Sequence, residues 1–144
     1  MSITLAQAIK NAIAAEHAAE QFYLRLADGC ADEKGRATLR EIAGQERGHA
    51  ATLEGLAAKL GAGKLPERAD DLARGIETAP AGAHADGLAF SQALELAIEA
   101  ENSAILYYDA LATTSTGEAA KFFEHMGKEE EGHAAAIRAL LALA

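Results

Sequence analysis

Apolar residues recur every three or four positions in four segments of the chain, which is the pattern of helices that bury one face. The stripes are Leu5, Ile9, Ala12, Ile13, Ala19, Tyr23 and Leu26; Leu39, Ile42, Ala43, Ala50, Leu53, Leu56 and Leu60; Leu94, Ala97, Ile98, Ile105, Tyr108 and Leu111; and Phe123, Met126, Ile137, Leu140 and Leu141. They predict helices over residues 5–27 and about 32–60, a third after Asp86 and a fourth that opens at Ser115. Thr4 with Gln7 and Ser115 with Glu118 have the spacing of capping boxes, and Gly61 is a stop signal. The pattern predicts an all-α protein.

The connections between these helices differ in length. Only a few residues separate helices 1 and 2, and helices 3 and 4, so each pair must form an antiparallel hairpin. Residues 61–86 hold both prolines and four glycines, and they are long enough to run the length of a bundle, with a short helix around "ERADDLARG". Residues 12–27 align with 97–112, and 45–50 with 129–134. We therefore expect two related hairpins, joined by a crossover that leaves helices 2 and 3 parallel.

Composition narrows the class of protein. The 144 residues, half of them hydrophobic, suit one domain over 1–144 with a buried core. The net charge of −9, without a basic stripe, argues against a nucleic-acid partner. Neither a signal peptide nor a membrane span is evident, so we expect a cytoplasmic protein without a membrane partner. The single cysteine, Cys30, excludes a zinc ribbon or a four-cysteine iron site in this chain; we expect it to be inert.

Charged side chains interrupt the apolar stripes at matching places. Each predicted helix carries one glutamate on its inward face, and helices 2 and 4 add a histidine: Glu16, Glu46, Glu101, Glu130, His49 and His133. Taking an isolated carboxylate out of water costs several kcal/mol, and four together repel one another. Lysines and arginines such as Lys10, Arg25, Arg40 and Lys121 fall off the stripes. Two divalent cations would balance four carboxylates, with two neutral imidazoles as the remaining ligands.

The spacing of these groups suits chelation. A glutamate three residues before a histidine projects to the same side of a helix, and both "QERGHA" and "EEEGHA" contain this pair. One glutamate from each of two helices plus a Glu-x-x-His from each of the other two is the ligand set of di-iron and di-manganese carboxylate bundles. The donor types favour two iron ions, with manganese or zinc as alternatives.

With these motifs the chain resembles the rubrerythrin family of the ferritin-like superfamily. The resemblance rests on the Glu-to-Tyr spacing of seven in "EHAAEQFY" and "ENSAILYY", the two ExxH segments and the "AIEAEN" entry to helix 3, and it covers all four helices. It implies a ferritin-like four-helix bundle. The roles it implies are terminal or shifting carboxylates (Glu16, Glu101), bridging carboxylates (Glu46, Glu130), one terminal ligand on each metal (His49, His133) and tyrosines that orient a carboxylate (Tyr23, Tyr108).

The resemblance also implies a function, namely reduction of hydrogen peroxide or dioxygen by a di-iron protein, which is expected to be a homodimer. Two differences between this sequence and the family pattern bear on the expected function. The family usually carries a rubredoxin domain, whereas the sequence up to Ala144 has no CxxC pair, so an external electron donor is expected. The family also has another glutamate where this chain has Ala104. The alternatives are ferritin-like oxidation and storage of ferrous iron, and a non-catalytic bundle in which metals replace part of the core.

The remaining polar residues are expected at the surface. These are Glu95, Glu99, Glu129, Glu131, His17, His84 and His125. Glu20, one turn after Glu16, is expected there too, with a role as an extra carboxylate ligand as the alternative.

Overall fold

The computed structural model describes residues 4–60, 64–69 and 89–143. It contains the four predicted helices, which are α1 (Leu5–Asp28), α2 (Glu33–Leu56), α3 (Phe90–Thr114) and α4 (Gly117–Leu143). No strand occurs within these residues, so the all-α prediction is confirmed. None of the helices in this part of the chain is long and apolar enough to cross a bilayer.

The helix ends follow the predicted signals only in part. Thr4 Oγ1 accepts from the Gln7 backbone N–H at 3.0 Å, but the Gln7 side chain donates to Asn11 instead of completing the capping box. Regular helix α2 ends at Leu56, four residues earlier than predicted, and residues 57–60 form a turn. Helix α4 begins at Gly117, whose left-handed φ of 60° breaks the helical backbone after the predicted cap at Ser115.

Contacts between the two hairpins fix the directions of the helices. The Tyr107 hydroxyl donates to the Ala8 carbonyl, and the Tyr23 hydroxyl donates to Glu101, so α1 and α3 run antiparallel. Within each hairpin the helices are antiparallel as well, across connections at residues 29–32 and 115–116. Helices α2 and α3 are therefore parallel, as the ferritin-like crossover requires. Most of that crossover, including most of the predicted short helix at 67–75, lies outside the described residues.

The core consists of two apolar clusters, one towards each end of the bundle. The first contains Phe22, Leu26, Leu39, Leu94 and Ile137. The second contains Ile9, Ile13, Leu53, Phe123 and Met126. Along every helix, the inward glutamate falls between the residues of these clusters. The fold thus encloses a polar layer between two apolar ones, where water is excluded and electrostatic interactions are strong.

Candidate metal centre

The structure brings the six predicted ligands together in that polar layer. Four of them, Glu16, Glu46, Glu101 and Glu130, are completely buried, which confirms the inward orientation that the stripes predict. The two histidines are nearly buried, since the side chain of His49 is 12% exposed and that of His133 is 5% exposed. Whether these side chains bind metal stays a prediction.

The ligand atoms form two overlapping groups. Glu16, Glu46, His49 and Glu130 offer ligand atoms that all lie within 4.8 Å of one another, and so do Glu46, Glu101, Glu130 and His133. Only Glu46 and Glu130 belong to both groups. Each group could hold one metal ion, and Glu46 and Glu130 are the residues that could contact both ions; their predicted bridging role stays a prediction.

The two groups have similar geometry because the hairpins are related. His49 Nδ1 lies 3.1 Å from Glu130 Oε1, and His133 Nδ1 lies 3.0 Å from Glu46 Oε1. Each histidine thus directs Nδ1 to the glutamate of the opposite Glu-x-x-His pair. The imidazole rings stack with their centroids 5.8 Å apart. This arrangement places one imidazole nitrogen in each group.

A tyrosine from the other hairpin holds each of the remaining glutamates. The Tyr108 hydroxyl donates to Glu16 Oε1 at 2.8 Å, and the Tyr23 hydroxyl donates to Glu101 Oε1 at 2.6 Å. Both tyrosines are buried. In each carboxylate the second oxygen, Oε2, makes no hydrogen bond within the described residues. The tyrosines therefore fix the carboxylates while leaving one oxygen of each available as a ligand.

Buried polar atoms that make no hydrogen bond, and contact only one another as ion pairs, indicate that the cluster fits metal ions. In the described part of the chain, buried atoms without a hydrogen bond include both carboxylate oxygens of Glu46 and of Glu130, and Nδ1 of both His49 and His133. A buried polar atom without a partner costs about 1 to 3 kcal/mol. Coordination to a cation removes that cost for all of these atoms together.

The close packing of acids and bases shifts their pKa values. Burial opposes a charge on the His49 imidazole, but the carboxylates of Glu130, Glu16 and Glu46 outweigh it and raise its pKa to about 12. For His133, burial is likewise outweighed by neighbouring carboxylates, chiefly Glu101 and Glu46, which raise the pKa to about 11.

The pKa values of two glutamates are raised as well. Burial and the charge of Glu46 raise the pKa of Glu16 to about 8. The same two causes raise the pKa of Glu130 well above its ordinary value. The sequence interpretation took the imidazoles as neutral and found no cation in the stripes. That interpretation concerns the metal-loaded site and stays a prediction. In the metal-free protein the raised pKa values favour the protonated form of both imidazoles, which offsets part of the carboxylate charge.

Glu20 differs from its expected surface position. The residue is only 6% exposed, and its Oε2 accepts from Arg47 Nε at 2.6 Å. The side chain of Arg47 is itself 70% exposed, so it covers and neutralises Glu20 at the seam between α1 and α2. Glu20 belongs to neither ligand group. This pairing was not predicted, because Arg47 lies off the inward face of α2.

The other predicted surface residues in the described ranges are exposed. They are Glu95, Glu99, Glu129, Glu131, His17 and His125; His84 lies outside the described residues. Cys30 is buried in the α1–α2 connection, away from the cluster. Ala104 is fully buried within the second apolar cluster, so apolar packing fills the place where the family has a further glutamate.

One contact at the site was missed by the sequence interpretation. Gln45, the residue before Glu46, places its side-chain oxygen 2.6 Å from His133 Nε2. The signal available in the sequence is the position of Gln45 four residues before His49, on the side of α2 that faces α4. A glutamine at such a position is ordinarily a surface residue.

The fold and the site together define a ferritin-like four-helix bundle with a buried carboxylate and histidine cluster that can hold metal ions. The model of the rubrerythrin family matches residues 4–82 and 92–143. The chain belongs to the rubrerythrin family.

Comparison with solved structures supports the same fold. The chain is similar to a structure described as a hypothetical protein, Pfu-1136390-001, from Pyrococcus furiosus, with a TM-score of 0.77 and 23% identity. The match covers 98% of this chain and 90% of that one. At this level of identity the similarity concerns the fold alone. No curated protein matches the chain.

Proposed function

We propose that this chain is a di-iron protein that reduces hydrogen peroxide to water, using electrons from a separate donor protein. The observation that carries the proposal is the pair of ligand groups joined by Glu46 and Glu130. Two ions held by shared carboxylates lie close enough to act together on one small molecule. Membership of the rubrerythrin family supports iron as the metal.

The charges of the site agree with two divalent ions. Four carboxylates carry −4 when ionised, and two divalent ions supply +4, so the loaded layer is neutral with both imidazoles uncharged. The donor atoms are oxygen and imidazole nitrogen only, which suits iron or manganese rather than thiolate-selective metals. When bound, a pair of ferrous ions supplies the two electrons that convert one hydrogen peroxide and two protons into two water molecules.

The protein side chains contribute orientation and proton retention. Burial and the charge of Glu101 raise the pKa of Tyr23, and burial and Glu16 do the same for Tyr108. Both hydroxyls therefore keep their protons and remain hydrogen-bond donors to the carboxylates. Glu46 and Glu130 make no hydrogen bond to a tyrosine in the described region; their close contacts are with the imidazoles of His133 and His49, so they are less constrained than Glu16 and Glu101.

Ala104 favours a second candidate function, the oxidation of ferrous iron for storage. The family resemblance implies a further glutamate at this position that exchanges with another ligand as the iron changes oxidation state. Here the position is apolar and fully buried. A site without that carboxylate has fewer ways to retain iron through a redox cycle, which would suit an iron oxidase that releases its product.

Stopped-flow absorbance separates the candidates. Protein loaded anaerobically with ferrous iron is mixed with hydrogen peroxide or with oxygenated buffer, and iron retention is measured after one turnover. Fast oxidation by peroxide with retained iron supports the proposal. Preferential reaction with oxygen and loss of iron supports the second function, and inertness towards both oxidants indicates a binding protein.

Matched variants test whether the shared glutamates are responsible. Glu130→Gln removes the charge of a glutamate common to both groups, and we expect it to abolish the fast reaction. Glu131→Gln changes the next residue of the same helix, which is exposed, and should react as the unmodified protein does. Equal rates in the two variants would contradict the assignment.

A further inference from the structure

We propose that Gln45 is a positioning residue for His133 and makes the two metal sites unequal, so that the ion beside His133 is held more tightly than the ion beside His49. The inference rests on the metal-binding part of the proposed function. It does not depend on which oxidant the protein uses.

The contact between Gln45 and His133 defines the orientation of the imidazole. The Gln45 atom involved is the carbonyl oxygen Oε1, 2.6 Å from Nε2. That oxygen can only accept a hydrogen bond, so Nε2 must carry the proton and donate it. In the neutral ring this leaves the lone pair on Nδ1, which is the atom that faces Glu46, Glu101 and Glu130. Gln45 thus selects the tautomer in which His133 can bind a metal in its group.

The internal repeat shows that this support is one-sided. Position 45 aligns with position 129, so the counterpart of Gln45 is Glu129. Glu129 does not support His49 in the same way; its Oε1 lies 3.4 Å from Nε2 of the exposed residue His125. Within residues 4–60, 64–69 and 89–143, no hydrogen bond is made by Nε2 of His49. The two otherwise similar groups therefore differ in how firmly their imidazoles are held.

The surroundings of the two histidines agree with this difference. His133 and Gln45 line a cleft of about 280 Å³ between α2 and α4, together with Glu41, Glu129 and Thr38. Gln45 is itself exposed, whereas the His133 side chain that it contacts is only 5% exposed. The His49 side chain, which has no such contact at Nε2 in the described residues, is 12% exposed. An imidazole that is hydrogen-bonded and less exposed loses less freedom when it binds an ion.

Titration of the metal-free protein with Co²⁺ tests the inference without using peroxide or oxygen. Co²⁺ binding is followed by visible absorbance, and we expect two steps of unequal affinity. Gln45→Leu keeps helix propensity but removes the acceptor, and it should weaken the tighter step by about 10- to 100-fold while the weaker step stays within about twofold. Gln45→Glu, which keeps an acceptor oxygen, should retain the tighter step.

The control is Glu41→Leu, one turn earlier on α2 and lining the same cleft; no hydrogen bond or ion pair joins Glu41 to His133 within the described residues. It should bind Co²⁺ as the unmodified protein does. Proton NMR of the Co²⁺ protein supplies a readout that a general packing role would not change. The Nε2–H of His133 should exchange slowly with water in the unmodified protein and rapidly in Gln45→Leu.

Several outcomes would overturn the inference. The first is a Gln45→Leu protein that binds both Co²⁺ ions like the unmodified protein. The second is a Gln45→Leu protein in which both binding steps are weakened equally. The third is a Glu41→Leu protein that loses as much Co²⁺ affinity as Gln45→Leu does. Failure of the proposed function looks different. If the protein is inert to peroxide but binds two Co²⁺ ions unequally in a way that depends on Gln45, the result supports this inference and contradicts only the proposed reduction of peroxide. A chain that bound no Co²⁺ would overturn both.

Discussion

Loading the site with metal should displace protons from the side chains that bind it. His49, His133 and Glu16 have pKa values of about 12, 11 and 8 in the metal-free protein. At pH 7 each of them holds a proton. A metal ligand must be deprotonated at the atom that binds, so occupation of both groups requires these protons to leave.

The number of protons follows from the pKa values. At pH 7 the two histidines release one proton each and Glu16 about 0.9, which gives about three protons for two ions. Glu130, whose pKa is also raised, can only add to this number. If three protons leave, the apparent constant for binding both metal ions rises about a thousandfold for each increase of one pH unit below pH 7. This change corresponds to about 4 kcal/mol of binding free energy. The sign is fixed: acid weakens metal binding.

Calorimetric titration with Zn²⁺ at pH 7 measures this number. The heat of binding is recorded in two weakly coordinating buffers with different protonation enthalpies, and the difference gives the protons released. His49→Ala should reduce the release by about one proton. His125→Asn is the control, because that side chain is 66% exposed and lies outside both ligand groups.

Two results would refute the reasoning. One is a release of fewer than about one proton for two bound ions. The other is a His49→Ala protein that releases as many protons as the unmodified one. Either would mean that the histidines are neutral before metal binds, and that the acidic layer is balanced in another way.

Three further predictions concern stability, measured by urea unfolding. Without metal, the native state holds protons that the unfolded state has lost, on the histidines above about pH 6.5 and on Glu16 above about 4.5. Raising the pH from 7 to 9 should therefore lower the free energy of unfolding, by about 1.4 kcal/mol per pH unit for each proton that the native state still holds. Bound Zn²⁺ should remove this loss of stability. Tyr108→Phe, which takes the donor from buried Glu16, should destabilise the Zn²⁺ protein by about 1 to 3 kcal/mol; no change would contradict the tyrosine's role. Arg47→Met leaves Glu20 unpaired and should lower the free energy of unfolding by about 1 to 2 kcal/mol, a value that is discounted because Arg47 is largely exposed. The double variant Glu20→Met/Arg47→Met should recover most of this loss. An equally unstable double variant would contradict the pairing.

The sequence was sufficient for the fold and for the composition of the site because both depend on helix periodicity. An inward glutamate can be recognised from the apolar residues three and four positions away, as with Glu16 between Ile13 and Ala19. The histidines follow from the same rule. These are local relations along one helix, so no knowledge of the partner helix is needed.

Contacts between helices could not be predicted in this way. The bond from His133 to Gln45 joins α4 to α2, and the pair of Glu20 with Arg47 joins α1 to α2. Both depend on the rotation and offset of packed helices, which periodicity leaves undetermined. Gln45 and Arg47 are also long, flexible side chains at the margin of the buried face, where the sequence alone favours solvent exposure.

The charge state of the histidines is the most consequential of these interhelical effects. With neutral imidazoles, the four buried carboxylates would have to be balanced by metal ions or by protons of their own. The short contacts from His49 to Glu130 and from His133 to Glu46 instead let two imidazolium groups supply +2, and the raised pKa values of Glu16 and Glu130 reduce the negative charge further. Protons can thus occupy the electrostatic role of the metals. We therefore expect the bundle to form before the ions arrive, and metal affinity to be a competition between metal ions and protons for the same buried atoms.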